Sequence, residues 1–204
     1  MMQHPTIRAI AGAPETSRLD PSVTALLVID FQEEYFSGRL PIPNGAAALE
    51  NAKLLIEKAD KAGMSVFHVQ HITPSGSPIF AEGGETVAFH RDITPEKHHA
   101  VIRKSEVSVF QGTDIDVQLK AAGATTLIIT GLMTHACVAG AARDAAPLGY
   151  QVIVSADASA TRDLSNHQGV IIPHEQLHQS ALVSLEDTFA EVHSTAEILS
   201  YFTA

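Results

Sequence analysis

The apolar residues of this chain fall into short unbroken runs, separated by stretches in which they recur every three or four positions. Residues 24–30, Thr-Ala-Leu-Leu-Val-Ile-Asp, form one such run, closed by a carboxylate. A run of this length marks a strand buried on both faces, and the charged last residue marks the sheet edge. From 44 to 62 the period changes. Leu49, Ala52, Leu55, Ile56 and Ala59 fall mostly at steps of three and four, which predicts a helix with Asn44 at its N-cap and Gly63 as its stop. The alternation then repeats. Residues 64–70 predict a strand, 101–104 a short strand ending in a charge, 114–122 a helix closed by Gly123, and 125–130 a strand. Residues 134–146 predict a helix of small residues stopped by Pro147 and Gly149, and 151–156 another strand. Residues 167–185 predict a helix with Pro173 near its start, 189–193 a last strand, and Ser194-Thr195-Ala196-Glu197 a capping box that opens a terminal helix. Strands alternating with helices imply right-handed crossovers. The expected fold is therefore α/β: three layers, α/β/α, around a mainly parallel sheet.

Two segments show no period. Residues 1–22 are expected as an N-terminal arm over the surface or toward a neighbouring subunit, leaving 23–204 as one domain. Residues 72–98 hold three prolines and three glycines and predict a long loop, which inside a compact domain is usually functional.

Composition narrows the function. The chain has 204 residues, 23 acidic against 13 basic, for a net charge of −10. An acidic surface repels phosphate backbones and anionic lipid, so neither nucleic acid nor membrane is an expected partner. No apolar run reaches the ~18 residues that span a bilayer. The first twenty residues lack the charged start and apolar stretch of a signal peptide, which predicts a cytoplasmic protein. A single cysteine, Cys137, excludes an internal disulfide framework and a cysteine-cluster metal site.

Ligands of parallel α/β sheets sit at the carboxyl ends of the strands. Asp30 and Lys104 end two predicted strands, and Cys137 falls in the first turn of the helix after Gly131. Singly, each has an ordinary explanation: a helix cap, a solvated cation, a small buried hydrophobe. On one rim they describe an activated sulfur nucleophile. A thiol at a helix N-terminus is expected to be acidified by the dipole and by a neighbouring ammonium, and an adjacent carboxylate can take its proton.

The pieces Leu27-Val28-Ile29-Asp30-Phe31-Gln32, then Lys104 followed by Phe110-Gln111-Gly112-Thr113-Asp114, then Gly131-Leu132-Met133-Thr134-His135-Ala136-Cys137-Val138 stand in a characteristic order. Ala142-Arg143-Asp144-Ala145, Gly149-Tyr150-Gln151-Val152 and Asp157-Ala158-Ser159-Ala160 follow. Over about residues 23–195 the chain resembles the isochorismatase-like cysteine hydrolase superfamily, which includes nicotinamidases and N-carbamoylsarcosine amidohydrolases. The resemblance implies a Rossmann-like hydrolase fold and an Asp30–Lys104–Cys137 triad. It also implies a cis peptide between Leu132 and Met133, and an oxyanion hole made by the backbone N–H groups of Met133 and Cys137. Two preorganised donors there stabilise charge that appears only in the tetrahedral intermediate. The implied activity is hydrolysis of a small amide, carbamoyl or ureido C–N bond through a thioester.

The chain departs from the nicotinamidase branch, whose metal site carries Asp-x-His after the second strand. Val69 stands two residues before His71 and cannot ligate a metal, and His90, His98 and His99 lie on the long loop without an obvious partner set. No metal or other cofactor is therefore expected. His68 reads as a satisfied core histidine. His71, one step past the strand end, is expected at the pocket within reach of substrate. Tyr35, Phe36, Phe80 and Phe110 are the other candidate walls, with core packing the simpler role for Phe110. Arg39 and Arg162 are candidates for binding a carboxylate. Family members that cleave isochorismate lack the nucleophilic cysteine, so a vinyl-ether hydrolase is the weaker alternative. A catalytically silent scaffold is another, and a nucleotide-binding α/β domain a third, although no Gly-x-Gly-x-x-Gly follows the first strand. The small residues Ala139-Gly140-Ala141-Ala142 and the resemblance lead to the expectation of a homodimer or homotetramer.

Overall fold

A computed structural model of the chain describes residues 4–202; residues 1–3 of the expected arm and 203–204 of the expected domain lie outside the described residues. In chain order its elements are α1 (Ile7–Ile10), β1 (Thr24–Ile29), α2 (Gly45–Ala62), β2 (Ser65–His71), β3 (Ala100–Lys104), α3 (Ile115–Ala121), β4 (Thr126–Leu132), α4 (Ala139–Ala145), β5 (Gln151–Ala160), β6 (Leu164–Ser165), β7 (Ile171–Ile172), α5 (His174–Glu186), β8 (Glu191–His193) and α6 (Thr195–Ser200). Six strands form one sheet in the order β3-β2-β1-β4-β5-β8, and every neighbouring pair is parallel.

The apolar runs explain the layers. Successive residues of a strand face opposite ways. Leu27 and Ile29 of β1 pack with Ile115, Leu119 and Leu182 on one face. Leu26 and Val28 pack with Leu49, Ala52, Leu55 and Ile198 on the other. Helices α3, α4 and α5 cover the first face, and α2 and α6 the second. Helix α2 ends where the sequence predicts, because Gly63 takes a left-handed φ of 69° and donates back to the helix end.

The chain first runs outward from β1 through β2 to β3, then crosses back to lay β4 on the other side of β1. The strand order reverses between β1 and β4, and the crevice at their carboxyl ends is where such sheets take ligands. Gly131 lets β4 lie close against β1 at this point. At a φ of +147°, a Cβ there would collide with the carbonyl of Ile29 on the neighbouring strand.

Two expectations are corrected. Residues 167–172 are not helical: Asn166 Oδ1 accepts from the N–H groups of Gln168 and Val170 at 2.9 and 3.0 Å, β6 pairs with β7, and the helix begins after Pro173. Strand β5 continues to Ala160, past Asp157, whose carboxylate leaves the apolar run to accept from Thr195 N and Oγ1, each at 2.7 Å. The small residues of α4 are spent inside the chain: Ala139, Ala141 and Ala142 are buried in its own core, and Gly140 brings the helix against Ser108. The arm runs over its own domain, with Arg8 N donating to Asp187 O at 3.0 Å and Thr16 Oγ1 to Glu191 at 2.8 Å. Among the described residues, no helix is long and apolar enough to cross a membrane.

Candidate active site

Asp30, Lys104 and Cys137 arrive from three strand ends. Asp30 follows β1 at a φ of 55°, a left-handed turn that Asp tolerates better than most residues. Lys104 is the last residue of β3. Cys137 lies on a wide π-helical turn, Thr134–Val138, between β4 and α4. The Leu132–Met133 peptide that leads into this turn is cis.

The three side chains meet in the interior, with Cys137 still 6% exposed. Lys104 Nζ stands 2.8 Å from Asp30 Oδ2, with both side chains 0% exposed, and 3.4 Å from Cys137 Sγ. It also reaches His71 Nδ1 at 2.9 Å and the Glu106 carbonyl at 3.2 Å. Lys104 is the partner of Asp30 Oδ2, and Asp30 Oδ1 has none. The ion pair therefore leaves carboxylate lone pairs unspent beside the thiol.

The electrostatics differ from the expectation of an acidified thiol. Burial pushes the Cys137 thiol up to about 12, and the Asp30 charge adds to the rise; Lys104 opposes both without cancelling them. The reason is physical. Desolvation penalises a thiolate, and one ammonium already paired with a carboxylate cannot offset it. The turn that carries Cys137 is followed by only seven residues of α-helix, too little dipole to reverse the balance. The resting cluster is thus a neutral thiol beside a carboxylate–ammonium pair. Burial pulls the Lys104 ammonium down, but the charges of Asp30 and Cys137 and their hydrogen bonds more than restore it, so its net shift is upward.

The surroundings are built from rings and one amide. Tyr35 and Phe80 meet edge to face at 5.2 Å, and His71 meets Phe80 at 5.1 Å. Burial, then the Asp30 and Cys137 charges, raise the Tyr35 phenol, which places this ring beside the cluster. Phe36 packs on His90 instead, at 4.4 Å, and Phe110 packs into the core near Tyr150. His71 turns its Nδ1 to Lys104 rather than presenting it to a substrate. Arg39 is exposed. Arg162 acts on both Tyr35 and His135, and its Nε is buried with no hydrogen-bond partner. An open groove of ≈ 290 Å³ runs over the end of β3, lined by Ile72, Glu82, Arg103, Ser105 and Gly112; Asp30 and Cys137 are not among its lining residues.

Several supports had no signal in the sequence because their partners lie far along the chain. Buried Gln32 clamps the end of β2: its amide donates to the carbonyls of His71 and Val87 at 2.9 and 2.7 Å and accepts from His71 N at 2.8 Å. Buried Glu34 accepts from Thr86 Oγ1 and Arg39 N. Burial opposes its ionisation, but these hydrogen bonds hold its carboxyl below the usual range. Thr134 Oγ1 and His178 Nδ1 lie 2.8 Å apart, and His135 Nδ1 and Thr161 Oγ1 lie 2.6 Å apart, so the nucleophile turn is pinned from two sides.

A second group of ionisable side chains gathers at the opposite edge of the sheet. Asp60 Oδ1 lies 2.9 Å from His98 Nε2 and 2.9 Å from His99 Nε2. The three have the composition of a metal site. The hydrogen bonds point elsewhere. The N–H of Glu96 donates to His99 Nδ1 at 3.1 Å, so that nitrogen is an acceptor and Nε2 carries the proton. A metal-binding ring has the reverse arrangement, with its outer nitrogen donating. The group is a clasp between α2 and the start of β3. His68 extends it inward, 3.2 Å from His99 Nδ1. It is not the satisfied core histidine expected, since its Nδ1 has no partner.

An isochorismatase-domain model matches residues 24–197. Over 194 residues the chain is 33% identical to a secreted isochorismatase effector of Verticillium dahliae, covering 95% of this chain and 98% of that one. It is 28% identical to a ureidoacrylate amidohydrolase of Methylobacterium radiotolerans, over 92% of this chain and 82% of the relative. The crystal structure of an isochorismatase from Pseudomonas putida KT2440 superposes with a TM-score of 0.88 at 33% identity, covering 95% and 98% of the two chains. Sequence and fold agree along nearly the whole folded length, and the chain belongs to the isochorismatase family of hydrolases.

Proposed function

We propose that this protein is a cysteine-dependent hydrolase that cleaves the C–N bond of a small amide, carbamoyl or ureido substrate through a thioester. The observation that carries the reading is the buried meeting of Lys104 with Asp30 Oδ2 at 2.8 Å and Cys137 Sγ at 3.4 Å. The named activity of the amidohydrolase relative supports the bond class.

The chemistry follows from the resting charges. With its thiol pushed up to about 12, Cys137 rests protonated and needs a base at the moment of attack. Asp30, with unspent lone pairs, takes the proton as sulfur bonds to the substrate carbonyl carbon. The carbonyl oxygen gains the negative charge, and the backbone N–H groups of Met133 and Cys137 serve as its oxyanion hole. Collapse breaks the C–N bond, and Asp30 passes its proton to the leaving nitrogen. A water then gives a proton to Asp30 and adds to the thioester. The acid leaves and the thiol recovers its proton. Lys104 stays an ammonium throughout and stabilises each anionic form.

The unpartnered Arg162 Nε favours a substrate with a carboxylate next to the scissile group. Tyr35, Phe80 and the rest of the ring cluster limit its size. A cytoplasmic setting, where a lone thiol stays reduced, belongs to the same proposal. So does assembly as a homodimer or homotetramer, which a single-chain mass by light scattering would remove.

The test is ammonia release from a panel of small amides, carbamoyl amino acids and ureides, with mass spectrometry of the protein during turnover of the slowest. Cys137→Ala should abolish release with an unchanged melting temperature. An acyl adduct is expected on Cys137. Turnover retained by Cys137→Ala ends the covalent mechanism.

A further inference from the structure

An ammonium has three N–H groups, and Lys104 faces four acceptors. The two nearest are Asp30 Oδ2 at 2.8 Å and His71 Nδ1 at 2.9 Å; the Glu106 carbonyl at 3.2 Å and Cys137 Sγ at 3.4 Å lie farther out. Lys104 can only donate. His71 Nδ1 must therefore present a lone pair, and the ring must be neutral. We propose that His71 is a positioning residue, whose neutral Nδ1 accepts one Lys104 N–H and fixes the rotation of the ammonium so that its other donors serve Asp30 and the sulfur. This rests on the cysteine-hydrolase reading above and assigns His71 a role within it.

Three observations support the assignment. The backbone of His71 is clamped on both sides by Gln32, with the N–H donating at 2.8 Å and the carbonyl accepting at 2.9 Å, and Gln32 is fully buried. The ring is held edge-on by Phe80 at 5.1 Å. The charged groups that face it are Lys104 from β3, Asp30 from the end of β1 and Glu106 from the turn after β3; burial first, and Lys104 second, hold the ring below the ordinary imidazole range. A rotating ammonium would trade its short contact with Asp30 against the sulfur. An acceptor fixed on the far side removes that freedom before substrate arrives.

The arrangement also makes the site sensitive to acid. Protonation of His71 Nδ1 deletes the acceptor and sets a second cation beside Lys104. Activity should fall as pH drops through the lowered titration of His71.

The experiment compares wild type with His71→Phe and His71→Asn, using kcat and KM on the best amide of the panel and iodoacetamide alkylation of Cys137 across pH, with melting curves for each variant. Asn carries an oxygen near the Nδ1 position but cannot take a proton. Loss of a hydrogen bond to a charged group predicts a kcat about 10- to 100-fold lower in His71→Phe, with KM within about 2-fold and slower alkylation. His71→Asn should recover most of kcat and lose the acid limb that His71 contributes. The proposal is overturned if His71→Phe keeps wild-type kcat and alkylation, if the change falls on KM alone, or if a folded His71→Asn keeps the wild-type acid limb. Should His71→Phe fail to fold, the pH profile of His71→Asn decides by itself. Loss of turnover in Cys137→Ala together with wild-type behaviour of both His71 variants removes only the positioning role. Retained turnover in Cys137→Ala removes the hydrolase reading instead.

Discussion

Two clusters of ionisable side chains sit at opposite edges of the same sheet. At the carboxyl edge, Asp30 meets Lys104 at 2.8 Å with both side chains shut from water. At the amino edge, Asp60 meets His98 and His99 at 2.9 Å, half in solvent. Each holds a carboxylate and nitrogen bases, and by residue type the second resembles a functional centre more than the first. They differ in what is left over. At the clasp the imidazole N–H groups of His98 and His99 both have Asp60 as acceptor and the His99 Nδ1 has a donor; what is left over is one neutral buried atom, His68 Nδ1, in a group that holds no thiol. At the carboxyl edge Asp30 Oδ1 has no hydrogen-bond partner, and burial holds the neighbouring thiol toward its protonated form. Unspent bonding capacity beside a buried charge, rather than the density of ionisable residues, separates a place where a reaction can occur from a place where the chain is fastened.

The largest expected effect breaks this contrast at its upper end. Lys104→Met leaves Asp30 buried without its cation, which should cost about 3–5 kcal/mol of stability. Turnover should fall by ~10²-fold or more, because the lost charge matters most as the anion develops. Melting curves and kcat/KM check both numbers, and superimposable alkylation–pH curves would detach Lys104 from the sulfur. At the clasp, Asp60→Ala strips an acceptor from two imidazole N–H groups. It should destabilise by about 1–3 kcal/mol and leave kcat untouched. A drop in kcat at full folding would mean that the amino edge takes part in function.

His68 sharpens the contrast through pH. Burial, and then the His99 charge, hold His68 down to about 3, against about 6.5 in an unfolded chain. Between those values the unfolded state binds more protons. The His68 contribution is therefore fully present above about pH 6.5 and drains as pH falls toward 3. Urea unfolding at several pH values should show this slope in wild type and a flatter one in His68→Phe; equal slopes would remove His68 as its source. The smallest expected effect is none. Exhaustive chelation should change neither melting nor turnover, because His99 faces Asp60 with a proton and not a lone pair. Loss of either on chelation would reopen the clasp as a metal site.

Much of this was legible in the sequence, for identifiable reasons. The strands and α2 fall within a few residues of their expected ends, because continuous apolar runs and steps of three and four leave few alternatives. Asp30, Lys104 and Cys137 could be placed on one edge because strand ends in a parallel sheet share a direction. What stayed hidden depends on distance or on burial. The hairpin at 164–172 is set by one side chain, Asn166, that outbids a helical reading of its neighbours. The partner of His71 lies 33 residues away on β3, so proximity to the pocket was readable but orientation was not. The thiol moved opposite to expectation because helix dipole and neighbouring charge can be guessed from spacing, whereas desolvation depends on what encloses the sulfur.

Strand β3 is an edge of the sheet and pairs with one strand, β2, the bonding running on past it where Ile72 N donates to Lys104 O at 2.9 Å. Its residues alternate between cover and solvent, and the last of them is Lys104. Native proteins open in parts, and a border strand with one neighbour detaches at lower free energy than the strands inside it. Amide hydrogens of β3 should therefore exchange with deuterium before those of β1 and β4. Each such excursion carries the ammonium away from Asp30 and Cys137 while the rest of the sheet stays assembled. Heat or mild denaturant would then silence the protein at conditions where its circular dichroism is still nearly native, and a ligand that bridges β3 to the nucleophile turn would close that gap.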